Sequence, residues 1–193
     1  MHSKVLPAAT LAIGLALTAC NEQGASPAVD KAQDAAAGPV GQMSAATLGA
    51  NDAGAYVANA AMGDMYEVQA ADIARQRSTN DRVKSLATML KADHSAATEA
   101  LRAAVPRAAP AETLPTDLDE RRQGLIDNLR SASADDFDRV FIDQQVAAHK
   151  EALTLHRGFA DNTEAQALAQ HATTTAPKIE AHLRMAEEIA SSL

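Results

Sequence analysis

The side chains with chemistry to offer in this sequence are histidines and acids set into otherwise apolar helical stretches. Residues 89–101, "MLKADHSAATEAL", space leucine and alanine to make one oily face, yet Asp93 and His94 sit side by side in its middle. A polar pair placed there costs free energy unless something satisfies it. The pattern recurs along the chain. Glu67 lies between Gly63 and Ala71 on one helical face, and Ile142, Gln145, His149, Ala152 and His156 make a stripe of mixed polarity. Ile179, His182, Ala186 and Ile189 line up as well, with His171 about 20° from His182 around a helix axis. Imidazole nitrogens and carboxylate oxygens converging in an apolar interior are the donor set of a transition-metal site. They are equally the makings of a buried hydrogen-bond network that fixes helix register with no ligand at all.

Both readings need helices that bring these residues level. The spacing predicts a first helix from near Asp52 to about Arg77, with Tyr56, Ala60, Gly63, Glu67, Ala71 and Ala74 on one face. "STND" supplies a turn with Ser78 or Thr79 as cap, and a second helix runs to about Val105 with Val83, Leu86, Ala87, Leu90, Ala97 and Leu101 inward. A proline-punctuated connection and a short helix over about 117–130 follow. "SADD" reads as a capping box from Ser133 to Asp136, opening a third long helix that ends near Phe159. The fourth starts at "DNTEAQ" and contains Pro177, which should kink it or mark a restart. The fold class is all-α, a four-helix bundle with an extra short helix in the connection between the second and third long helices. Measured from the turn near Thr79 at about 1.5 Å per residue, Glu67 lies about 18 Å down and His94 about 22 Å. If the long connection returns the chain to that same end, His149 also falls at about 22 Å. His171 and His182 fall on either side of that level, so geometry leaves the fourth helix's donor open. Glu151 and His156 read as marginal or solvated, and Met62, Met65, Met89 and Met185 as core filler at helical spacing. Desolvation should hold His94 and His149 below the ordinary histidine pKa, with Glu67 pulling the other way.

The start of the chain bears on location. "MHSK" followed by "VLPAATLAIGLAL" has the charged and apolar regions of a signal peptide, and "LTAC" resembles a bacterial lipobox, with Ala19 just before Cys20, the one cysteine. Residues 1–19 are therefore expected to be a lipoprotein signal peptide, and Cys20 the lipid-modified first residue of the mature chain. Residues 20–50, rich in Ala, Gly, Ser and Pro, are expected to be a flexible tether, and 51–193 the bundle. Asn21 in place of an aspartate favours the periplasmic side of the outer membrane, with lipid as the membrane contact. With 17 Lys and Arg less Lys4 against 25 Asp and Glu, the mature chain has net charge −9 and no basic tract, so nucleic acid is not an expected partner. Aromatic residues are 3% and tryptophan is absent, which argues against recognition by stacking.

Taken together, "AMGDMYEVQAADIA", "MLKADHSAATEAL", "IDQQVAAHKEALTLH" and "APKIEAHLRMAEEI" resemble a bacterial envelope family built as ferritin-like four-helix bundles, carried as a domain of unknown function and often labelled outer-membrane proteins. The resemblance covers about residues 51–190. It implies Glu67, the pair Asp93–His94, His149, and Pro177 with His182 as the family's motif residues, and so favours His182 over His171. Di-iron bundles use two Glu-x-x-His pairs. Here the residues three before His94, His149, His156, His171 and His182 are Lys91, Val146, Leu153, Leu168 and Ile179, none of them an acid. Ferroxidase or oxygenase chemistry is thus not carried over with the fold, and the donor set suits zinc or copper better. The expected function is a lipid-anchored binding or envelope-stress protein with a metal site. The alternative is a structural bundle with a ligand-free His/Glu network.

If Cys20 carries the anchor, Cys20→Ser releases the protein from the membrane fraction, since the rest of the chain offers no spanning segment. Fractionation of cells expressing the variant checks this, and unchanged membrane association would refute the lipobox reading.

Overall fold

The computed structural model describes residues 38–193; Cys20, the expected signal peptide at 1–19 and the first part of the expected tether lie outside the described residues. Five α-helices follow a short N-terminal segment: α1 (Ala53–Arg77), α2 (Asp81–Ala108), α3 (Glu120–Ser131), α4 (Phe137–Phe159) and α5 (Gln166–Ala190). No strand occurs among the described residues. The four long helices close a ring in which α1 packs on α2, α2 on α5, α5 on α4 and α4 on α1. No helix among the described residues is long and apolar enough to cross a membrane.

Local chemistry sets the boundaries. Asp52 caps α1, its carboxylate accepting the Ala55 N–H at 2.7 Å. At the α1–α2 turn the cap is Asn80, which accepts from Arg82 and Val83, rather than Ser78 or Thr79. Ser78 instead closes α1, donating its N–H to Ala74 O. Asp119 caps α3. Ser133 Oγ accepts the Asp136 N–H as a capping box would, but the Asp136 carboxylate returns to that hydroxyl and not to the backbone. α5 runs through Pro177 without interruption. A proline in mid-helix removes one backbone donor, and here packing on α2 and α4 keeps the helix continuous around it.

Residues 38–49, composed like a tether, are helical. Residues 38–44 wind into a π-helical turn, Ala45–Gly49, that packs on α1 and α4. Small residues permit the approach: a Cβ on Gly41 would collide with the Glu151 carboxylate, and one on Gly49 with Leu155. A composition rich in Ala and Gly is compatible with a tether and with a closely seated helix alike.

The core is divided. At one end Leu86, Leu90, Ile126, Leu129, Phe137, Phe141 and Ile189 form one apolar cluster. At the other end Tyr56, Leu101, Val105, Leu155, Phe159 and Leu168 form a second. Between them every long helix contributes buried polar residues: Asp64 and Glu67 from α1, His94 from α2, Gln145 and His149 from α4, and His182 from α5. α2 and α4 both start in the first cluster and end at the second, so they run parallel, and residues 109–136 must return the chain along the bundle. This crossover sets His149 level with His94.

Its far end is fixed by Arg77, the last residue of α1. The guanidinium donates to the carbonyls of Leu129, Arg130 (2.9 Å) and Ala132 (2.6 Å) and lies 4.6 Å over the Phe137 ring. Arg77→Ala should lower unfolding stability by about 2 kcal/mol, because carbonyls at the end of α3 lose a charged donor. Arg77→Lys should recover only part, since an ammonium cannot reproduce the planar fork. Urea unfolding of the three proteins measures both effects.

Candidate metal centre

His94, His149 and His182 converge at mid-height. One ring nitrogen from each lies within 4.8 Å of the other two, and all three residues are buried. The ring centroids form a near-equilateral triangle with sides of 5.6, 5.6 and 5.4 Å. Zinc bonds to imidazole nitrogen are about 2.0–2.1 Å, which puts the nitrogens of a tetrahedral site about 3.3 Å apart. Binding such an ion would draw these nitrogens inward from a spacing of up to 4.8 Å.

Hydrogen bonding decides which nitrogen each ring offers. His94 donates from Nδ1 to the Asp64 carboxylate at 2.8 Å. His149 donates from Nδ1 to the Gln145 carbonyl at 2.9 Å, and His182 donates from Nε2 to the Asp93 carboxylate at 2.9 Å. Each neutral ring therefore keeps its lone pair on the other nitrogen. Those atoms, His94 Nε2, His149 Nε2 and His182 Nδ1, are buried without a hydrogen-bond partner among the described residues. An outer acceptor that fixes the tautomer and orients the ring is the usual second layer of a histidine metal site.

The surrounding charge differs from ring to ring. Burial, aided by the His94 and His182 charges, holds His149 well below the ordinary histidine range. Burial also lowers His182, although the Asp93 bond and charge oppose it. For His94 burial lowers the pKa, but the hydrogen bond and charge of Asp64, with Glu67 and Asp93 adding, carry it above the ordinary value. The expectation of a lowered His94 is thus reversed, because its main partner is a buried acid other than Glu67. Glu67 stands 3.7 Å from His149 Nδ1 with the Gln145 side chain beside it, and neither of its oxygens makes a hydrogen bond of ordinary length among the described residues. Burial first, then Asp64, raise it to about 7 against the pull of His94.

The structure brings His94, His149 and His182 together as donors, places Glu67 beside His149, and sets Asp93 outside the cluster as the orienting acceptor of His182, shared with Lys178 at 3.1 Å. His171 stands elsewhere. Its Nε2 donates to Ala97 O at 3.2 Å, so its Nδ1 must accept, and Tyr56 Oη donates to it at 2.7 Å. His156 Nδ1 in turn donates to Tyr56 Oη at 3.0 Å. His156 is 3% exposed, against the expectation of a solvated residue, because the Tyr56 and His171 rings pack against it. Glu151 is buried too, drawn in by Arg121 at 2.7 Å and Arg122 at 2.8 Å. Met89 and Met185 are partly buried and pack against the first apolar cluster. Asp64 escaped the sequence reading. It sits four residues after Ala60 and seven after Val57, on the inward stripe, and that position was the available signal.

Residues 37–189 match the family described as a domain of unknown function, DUF4142. No curated protein matches the chain. Among solved structures the crystal structure of a DUF305 fragment from Deinococcus radiodurans is similar, with a TM-score of 0.61 and 15% identity over 77% of this chain and 99% of that one. At that identity the likeness is one of fold.

The buried imidazoles make stability depend on pH. Burial, with the charges of His171 and His94, lowers His156 to about 3. Since this folded value lies below the unfolded value of about 6.5, the unfolded chain takes the proton first. The contribution is complete above about 6.5 and is lost as pH falls toward the folded value. His156 should accordingly make metal-free protein less stable to urea at pH 5 than at pH 7.5 by roughly 2 kcal/mol, an effect opposed by the raised Glu67 and His94, and His156→Gln should remove that contribution to the difference. A difference unchanged in the variant would mean that His156 is not held neutral in the folded state.

Proposed function

We propose that this chain, which belongs to the DUF4142 family of unknown function, binds a single zinc or copper ion on His94, His149 and His182. The observation that carries this reading is that three buried histidines each bring a ring nitrogen within 4.8 Å of the other two, and that each has one ring nitrogen unpartnered among the described residues. In a purely structural network each inward nitrogen would be paired, since a buried polar atom left unsatisfied costs about 1–3 kcal/mol. A divalent cation satisfies all three at once. The outward hydrogens go to two carboxylates and a carbonyl, which supports the same reading. An all-imidazole donor set suits zinc or copper, and it lacks the bridging carboxylates of a di-iron centre. In this proposal the domain works at the periplasmic side of the outer membrane, held by lipid on Cys20, and the lipobox-like "LTAC" supports that placement.

Zinc titration of metal-free protein tests the site. One equivalent should bind per chain near neutral pH, and a free-ion concentration about a thousand times Kd should add roughly 4 kcal/mol to stability, read as a rise in Tm. His149→Ala should abolish the rise. Asp93→Asn keeps every ligand and should weaken binding about 10- to 100-fold through the orientation of His182. Binding should also weaken as pH falls, because protons compete for the lone pairs. Absence of stoichiometric binding of zinc and of copper would leave the ligand-free network as the function of these residues.

A further inference from the structure

Three imidazoles leave an ion one position short of the four that zinc favours. The donors come from α2, α4 and α5, so the remaining side of the ring belongs to α1, whose residue there is Glu67. Glu67 is 3% exposed and both its oxygens lack a partner among the described residues. Beside it the bundle is not filled. A cavity of about 750 Å³ lies between α1 and α4 beneath α3 and the N-terminal segment, and its wall includes Glu67, His94 and His156. Gly63 borders this open space, since a Cβ at that position would meet nothing within 4 Å.

The wall states what kind of molecule it would take. Most of it is apolar, including Ala60, Leu125 and Val140. With His94 Nε2 given to the ion, the buried wall atoms without a partner among the described residues are the two Glu67 oxygens, which accept when the carboxylate is ionised; Arg121, Arg122, Arg139 and Asp143 stand on the same wall. His156 adds a further acceptor: its hydrogen is committed to Tyr56 from Nδ1, which leaves the lone pair on Nε2. An occupant that carries a hydrogen-bond donor meets an acceptor in ionised Glu67 and in His156. The volume falls within the roughly 300–1,000 Å³ usual for small-molecule pockets.

We propose that this cavity delivers a small organic ligand to the open coordination position of the three-histidine ion, the ligand having a metal-binding head with an N–H or O–H for Glu67 and an apolar body for the α1–α4 space. The inference rests on the metal reading above and goes beyond it, from an ion held to an ion that takes a substrate-sized partner. A structural zinc closed by four protein ligands would have no such position.

Hydroxamic acids fit this description, since the head ligates through oxygen and carries an N–H. The full-length protein is loaded with cobalt(II), a visible stand-in for zinc, and titrated with acetohydroxamic and octanohydroxamic acid. Both should shift the cobalt absorption bands with the ion still bound to protein. The longer acid should bind at least about 30-fold tighter, a conservative figure when each buried methylene contributes about fourfold. Gly63→Leu, which fills open space, should bind cobalt with unchanged stoichiometry yet lose at least about tenfold in octanohydroxamate affinity. Ala152→Leu, on the opposite wall, serves as a second plug should the first variant fold poorly. No cobalt bands in wild type would overturn the metal reading and this inference with it. Cobalt that binds but ignores both acids, leaves the protein with them, shows no chain-length preference, or responds alike in wild type and plugged variants would overturn the cavity inference and leave the metal reading standing.

Discussion

A buried imidazole must place its hydrogen on an acceptor, and the choice of acceptor dictates where its lone pair points. In this bundle the acceptors for the central rings, Asp64, the Gln145 carbonyl and Asp93, all lie outside the triangle, so three lone pairs are driven inward. The same rule runs through the neighbouring chain of Ala97, His171, Tyr56 and His156, whose hydrogens all pass in one direction. The rest of the architecture serves these two arrangements. Two apolar clusters close the bundle above and below the polar layer, and they supply the burial that removes water from it.

Much of this was legible in the residues and some was not. The four long helices follow from apolar spacing, and the level of Glu67, His94 and His149 follows from rise per residue once the crossover is granted. The donor of the last helix could not be read by counting, because depth along α5 depends on where the 160–165 turn places its first residue. Partners from distant parts of the chain were hardest to see. Nothing near His156 or Glu151 announces Tyr56 or the Arg121–Arg122 pair, so both residues looked like surface. Asp64 was visible on its stripe, but an acid on a helix is ordinarily solvent-facing, and its histidine lies thirty residues on. The helix at 38–49 was hidden because small residues serve close packing and flexibility equally well.

The three rings are not held alike. His94 rests on an acid almost wholly removed from solvent, with side-chain exposure of 4% and 5% for the pair. His182 rests on Asp93, which is 31% exposed and also answers to Lys178 at the surface. His149 leans on its own helix backbone. The α2 and α4 rings are thus anchored within the core, while the α5 ring is anchored at its edge, where solvent weakens the restraint.

The crossover has a consequence in time. With α2 and α4 parallel, residues 109–136 join two helices that stand diagonally across the ring, and α5, the last long helix in chain order, packs between them and provides the third donor. The three rings stand 55 and 33 positions apart along the chain, and such long-range pairings form late because chain closure must be paid for before they return anything. A chain still emerging from a ribosome or a translocation channel has no place to seize an ion. Under the metal proposal, whichever compartment sees the final helix dock would also choose, from its own stock of ions, which one the site receives.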